Sequence, residues 1–277
     1  MSGSAADRRS QAESGIIPLT PAEIHVWLAF YDEISDERLH AVYRHLLDDA
    51  EREQEPRFYF ARDRCRYLVT RALVRTVLSR YAPIAPEEWM FSTNAYGRPA
   101  IANDTARHLS FNISHTHSLI VLGVTSRRAL GLDVENVRDR PASIDIAAHY
   151  FAPQEVAVLT AAPPLQQQDR FFEYWTFKES YIKARGMGLS LPLDKFSFHY
   201  PDDHAVEIAI DADLADDAAR WQFWQFRPRP EYLVAVCAER VGAQPASLIA
   251  RQAIPMLADK PFVLDFLRVS EHAQQES

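Results

Sequence analysis

Two short runs limit the folds open to this chain: Gly131-Leu132-Asp133-Val134-Glu135, and Trp175-Thr176-Phe177-Lys178-Glu179-Ser180-Tyr181-Ile182-Lys183. The first reads as a strand. Alternate side chains take opposite faces, so Asp133 and Glu135 share one face and Leu132 and Val134 the other. The second reads as a helix, in which Glu179 and Lys183, four residues apart, lie one turn apart on a single face. If that face meets the acidic side of the strand, three carboxylates and an ammonium converge. Such a set suits a divalent cation and a phosphate together. Each pair also has a plainer reading. Alternating acids are often only the wet face of a strand, and a Glu–Lys pair at this spacing is an ordinary helix salt bridge.

The flanking pattern supplies the rest of the architecture. Residues 24–30 alternate as a strand, followed by a helix capped at Ser35 and running to about residue 53, with Pro56 as its breaker. A second helix spans about 57–81. Its apolar stripe is Leu68, Val69, Ala72, Leu73, Val77 and Leu78, and its other faces carry Arg62, Arg64, Arg66, Arg71, Arg75 and Arg80. Most of these arginines read as a solvated face, with the first few able to line an anion site. A turn at 94–99 precedes a strand at 108–113. Runs at 119–124 and 129–135 read as a hairpin. Pro153 opens a helix, Pro163-Pro164 and the glutamines after them read as a linker, and Gly186 ends the helix that carries Glu179. Short strands are expected at 196–199, 206–210, 221–226 and 232–237, and one short helix within 257–269.

The chain has 277 residues, is 47% hydrophobic and 25% charged, and carries a net charge of -8, so the core is ample and global basicity gives no reason to invoke nucleic acid. Its two cysteines, Cys65 and Cys237, fall in apolar patterns and read as buried thiols rather than a disulfide. No apolar run has the length of a membrane span, and the polar first residues lack a signal-like core, so a cytoplasmic protein is expected. P-loop, GxGxxG, HExxH and GxSxG patterns are lacking from the sequence.

Taken in order, four blocks carry more than any one of them. They are Tyr96-Gly97-Arg98-Pro99, Phe111-Asn112-Ile113-Ser114-His115, the 131–135 run, and the long block from Trp175 through Lys183 to Ala184-Arg185-Gly186-Met187-Gly188-Leu189. With these blocks the sequence resembles the Sfp-type 4'-phosphopantetheinyl transferases over roughly residues 24–238. Phe60-Ala61-Arg62-Asp63 is similar to a coenzyme A-contacting segment of that family. Arg98 stands where lysine is commoner, which keeps the charge.

The resemblance implies an α/β (α+β) pseudo-dimer of two similar halves, each a small antiparallel sheet packed with a long helix, with the active site at their junction. The chain then divides into a disordered tail (1–20), an N-terminal half (21–130), a C-terminal half (131–240) and an extension (241–277). It implies transfer of the 4'-phosphopantetheine arm of coenzyme A to a serine of an apo acyl or peptidyl carrier protein, with release of 3',5'-ADP. Asp133, Glu135 and Glu179 would hold Mg2+. Glu179, Glu135 and Lys183 would be catalytic, one glutamate taking the serine proton directly or through water. Arg62, Arg98, Ser114, His115, Lys178 and Lys183 would hold the co-substrate coenzyme A. No nucleic acid or membrane is called for, and a monomer is expected because both halves lie in one chain. Two rival readings keep the same acids: a Mg2+-dependent phosphohydrolase or nucleotidyl transferase, and a non-enzymatic coenzyme A-binding module with a structural cation.

Overall fold

The computed structural model describes residues 15–142, 144–242 and 245–270, and for Leu189 the backbone alone. The expected tail up to residue 14 and the last residues lie outside these. Residues 15–20 are described, and Ile17 donates its amide to the Arg80 carbonyl.

The architecture is mixed helix and sheet, built as four layers. The first sheet contains β1 (Glu23–Phe30), β4 (Leu109–His115), β5 (Leu119–Ser126), β11 (Ser247–Ile254) and β12 (Ala258–Phe262), in the order β12-β11-β1-β5-β4. The second contains β6 (Leu130–Asn136), β9 (Trp221–Phe226), β10 (Tyr232–Glu239) and β13 (Phe266–Val269), in the order β13-β9-β10-β6. Two small ribbons complete the strands, β2 (Phe91–Thr93) with β3 (Pro99–Ile101) and β7 (Phe196–His199) with β8 (Glu207–Ile210).

Strand periodicity explains the layering. One face of β1 (Ile24, Val26, Leu28) and of β6 (Leu132, Val134) meets Val234 and Val236 in a core between the sheets. The opposite faces pack on helices. Trp27 and Leu122 bury against α3 (Ala61–Leu78), and Phe223 and Leu233 against α6 (Pro164–Arg185). Gly123 in β5 permits the sheets to touch, since a Cβ there would stand 2.7 Å from Leu132 Cδ2. The remaining helices are α1 (Glu37–Leu46), α2 (Asp49–Gln54), α4 (Ile144–Tyr150) and α5 (Pro153–Ala161).

Several sequence expectations are corrected. The residue 119–124 and 129–135 runs do not form a hairpin. β5 pairs with β4 and β1, β6 pairs with β10, and the connection between them crosses from one sheet to the other. The helix expected to 53 breaks at Leu47, and α2 starts afresh under a reciprocal Asp48–Glu51 capping box. Asp36, not Ser35, caps α1. Pro164 and the glutamines belong to the first turns of α6, because proline at a first helical position gives up no intrahelical bond. The helix expected within 257–269 is absent. Those residues form β12 and β13, one strand on each sheet. The first sheet is not purely antiparallel, since β11 runs parallel to β1. Arg75 departs from the solvated arginine face: it is 1% exposed and bound to Glu51 at 2.6 Å. Cys65 and Cys237 are free thiols, the first half-buried and the second buried.

Candidate active site

The site is assembled on β6. Gly131, Asp133 and Glu135 share the face turned to α6, while Leu132 and Val134 enter the core between the sheets. Gly131 sets how close the helix comes. A Cβ there would lie 2.1 Å from the Ser180 carbonyl oxygen and 2.2 Å from the Ala184 nitrogen. No side chain fits, so the helix backbone rests directly on the strand and Lys183 reaches the carboxylates.

Three groups then form one hydrogen-bonded knot. Lys183 Nζ donates to Asp133 Oδ1 at 2.6 Å and to Ser114 Oγ at 2.9 Å. Ser114 Oγ donates in turn to Asp133 Oδ1 at 3.0 Å. Asp133 is 5% exposed, and its second oxygen, Oδ2, is buried without a hydrogen-bond partner. The knot lines a cavity of about 530 Å3, which also meets His115, Glu135, Arg66 and Arg71.

Burial pushes Glu179 up to about 7, with the nearby Asp133 charge adding to it and Lys183 opposing. Glu135 is likewise raised to about 7, by burial first and Asp133 second, against Arg140, Trp175 and Lys183. Arg140 reaches Glu135 Oε1 at 3.1 Å. Two carboxyl groups are thus poised near neutrality around a third, the condition for moving protons at physiological pH.

Asp133, Glu135, Lys183, Ser114 and His115 are therefore gathered as the sequence led us to expect, and Glu179 lies within their electrostatic reach. Three expected coenzyme A ligands stand elsewhere. Lys178 is fully buried on the opposite side of α6, paired with Glu155 at 2.8 Å and donating to the Leu193 and Phe196 carbonyls. A five-residue step turns it away from Lys183. Arg98 donates to the carbonyls of Lys183, Ala184 and Leu130, so its guanidinium caps the end of α6. Arg62, on the first turn of α3, stacks over Phe60 with 5.4 Å to the ring centre and does not line the cavity. The cations that do line it from α3 are Arg66 and Arg71. Their signal is in the sequence: 66, 67, 70 and 71 share one helical face, and Tyr67 and Thr70 line the cavity with them.

The profile described as 4'-phosphopantetheinyl transferase superfamily matches residues 129–237, and that described as 4'-phosphopantetheinyl transferase, N-terminal, matches 34–127. A 4'-phosphopantetheinyl transferase of Bacillus subtilis is 39% identical over 187 residues, which are 68% of this chain and 80% of the relative. The chain belongs to the 4'-phosphopantetheinyl transferase family.

Two further relatives agree. The transferase Sfp of Bacillus subtilis strain 168 is 37% identical over 187 residues, 68% of this chain and 80% of its own. The transferase HetI of a Nostoc species is 29% identical over 233 residues, 83% of this chain and 93% of its own. The protein is thus a phosphopantetheinyl transferase of the Sfp type, and the knot on β6 joins Ser114 of one matched region to Asp133 and Lys183 of the other. Among the described residues no helix is long and apolar enough to cross a membrane.

Proposed function

We propose that this transferase moves the 4'-phosphopantetheine arm of coenzyme A onto a serine of an apo acyl or peptidyl carrier protein, with Mg2+, releasing 3',5'-ADP. The observation that carries the reading is the Lys183–Asp133–Ser114 knot, set in a cavity that two arginines enter from the facing helix.

Among the described residues no three acidic, His or Cys side chains enclose an ion by themselves. The donor set nevertheless fits Mg2+, which takes one or two carboxylates and completes its shell with substrate phosphate and water. The buried, unpartnered Oδ2 of Asp133 is a ready ligand atom. Asp133, Glu135 and Glu179 would hold the ion, which would supply charge neutralisation at the pyrophosphate.

The chain's own groups account for the rest. Arg66, Arg71, Ser114 and His115 orient the phosphates. The carrier serine oxygen bonds to the phosphorus nearer the pantetheine, and the pyrophosphate P–O bond breaks. Glu179 or Glu135, directly or through a water, accepts the serine proton. The Lys183 ammonium stabilises the departing phosphate. In this reading residues 21–130 and 131–240 are the two halves that meet at the site. The enzyme acts as a monomer in the cytoplasm, where coenzyme A and apo carriers meet.

Asp133→Ala tests the assignment. Carrier modification should collapse while thermal stability persists. A variant that modifies carriers at the wild-type rate, or that chiefly unfolds, would return the acids to a structural role.

A further inference from the structure

β6 is the outer strand of its sheet, so the edge turned away from β10 has no strand neighbour within that sheet. Amides on a covered edge need acceptors. Two of them find acceptors in the other sheet, on β4 and just past its end. The Leu132 amide donates to Asn112 Oδ1 at 2.9 Å, and the Asn136 amide donates to Thr116 Oγ1 at 3.1 Å. Asn112 and Ser114 lie in β4 and Thr116 just past its end. The three follow the two-residue period of extended chain and therefore share a face.

The offset between the two outer rungs is constant, 20 residues in each case. Ser114 falls on the rung between them, and its hydroxyl goes instead to the Asp133 carboxylate, where Lys183 also binds. Two backbone rungs thus bracket the one polar side-chain rung that belongs to the site. Apolar contact between the sheets is non-directional and does not fix a register. The β10 ladder sets which face Asp133 and Glu135 take, and the two rungs set where along β4 that face stands.

We infer that Asn112 and Thr116 are positioning residues for the transfer reaction. They lock β6 in register on β4, and so fix the Asp133 and Glu135 carboxylates relative to Ser114 and His115. The inference deepens the transferase reading given above and rests on it for the kinetic part of its test.

Thr116 offers a clean pair of variants. Thr116→Val keeps the volume and removes the acceptor, whereas Thr116→Ser keeps the acceptor. Asn112→Leu removes the other rung. Coenzyme A affinity by calorimetry in the presence of Mg2+, and kcat, should each fall about tenfold in Thr116→Val, by the usual effect of losing a group that orients ligands. KM for the carrier should be unchanged, and Thr116→Ser should restore both quantities. Asn112→Leu should fall further. If Asn112→Leu does not fold, the Thr116 pair decides. A lowered melting temperature with wild-type coenzyme A affinity and kcat in the folded Thr116→Val protein would overturn the inference.

Amide hydrogen exchange decides it separately from catalysis. Thr116→Val should speed exchange at Asn136 and leave Thr116→Ser like wild type, and unchanged exchange would overturn the positioning role. Wild-type protein that neither binds coenzyme A nor modifies a carrier would sink the transferase reading. Active wild type with a fully active Thr116→Val would sink the positioning role alone.

Discussion

Lys178 and Lys183 are five residues apart on one helix, and each faces a carboxylate. Lys178 and Glu155 are sealed, with both side chains at 0% exposure, and two carbonyls take the remaining ammonium protons. Lys183 and Asp133 open onto the cavity, with 27% of the lysine side chain exposed and one aspartate oxygen left without a partner. The sealed pair has no access to a substrate and no spare donor. It ties α6 to α5 and to the segment entering β7. The open pair keeps unspent hydrogen-bonding capacity where a ligand can reach it. A lysine's role in this enzyme follows from what closes around it, not from its place in a motif.

The largest expected effect is at the sealed pair. Lys178→Met leaves Glu155 charged and buried without its cation, and should cost roughly 3–5 kcal/mol of stability. Urea unfolding measures that loss, while coenzyme A affinity of the folded protein should stay near wild type. Weaker coenzyme A binding at full stability would return Lys178 to the site and erase the contrast. Lys183→Met should do the opposite. It should keep the fold and lower kcat about 10²- to 10³-fold, as loss of a donor to developing charge does. Stopped-flow or discontinuous carrier modification would read it.

A third test uses pH. Glu135 and Glu179 hold their protons up to about 7 in the folded, cation-free protein, whereas in the unfolded chain they ionise near 4.5. The folded state therefore binds more protons between those values. The corresponding stability is complete below about 4.5 and is lost as pH rises through about 7. Melting temperature without Mg2+ should fall over that window, and Glu135→Gln with Glu179→Gln should flatten the fall. At the Lys178–Glu155 pair the same double substitution should change nothing. The smallest effect sharpens the arginine assignment. Arg66→Ala should raise KM for coenzyme A about tenfold, in the range of a lost charged hydrogen bond, whereas Arg62→Ala should stay within about 0.5 kcal/mol of wild type.

What the sequence showed and hid follows from the reach of each signal. Alternation placed β1 and put Asp133 and Glu135 on one face, and the four-residue step placed Glu179 with Lys183, because these are local periods. Gly186 ended α6 as expected, in a left-handed conformation at φ 66°. Pairing partners are not local. The apolar run at 119–124 reads the same whether it meets β6 edge to edge or face to face, and the face-to-face packing that Gly123 allows cannot be read from either strand alone. The strands after residue 246 were hidden for the same reason: β11 is recruited by β1, more than 200 positions earlier. Arg98 and Lys178 kept their motif positions, but carbonyls and Glu155 had already taken their donors. Arg66 and Arg71 were visible as arginines and became site residues only once α3 was seen to face the knot.

The most direct measurement is intact mass of an apo carrier protein incubated with the enzyme, coenzyme A and Mg2+, beside a matched reaction with EDTA. A gain of one phosphopantetheine arm that EDTA abolishes is the expected result, with Lys178→Met still supporting it and Lys183→Met not. Coenzyme A consumed without any mass gain on fatty-acid, polyketide or peptide carriers would contradict the transfer and point to hydrolysis at the same acids.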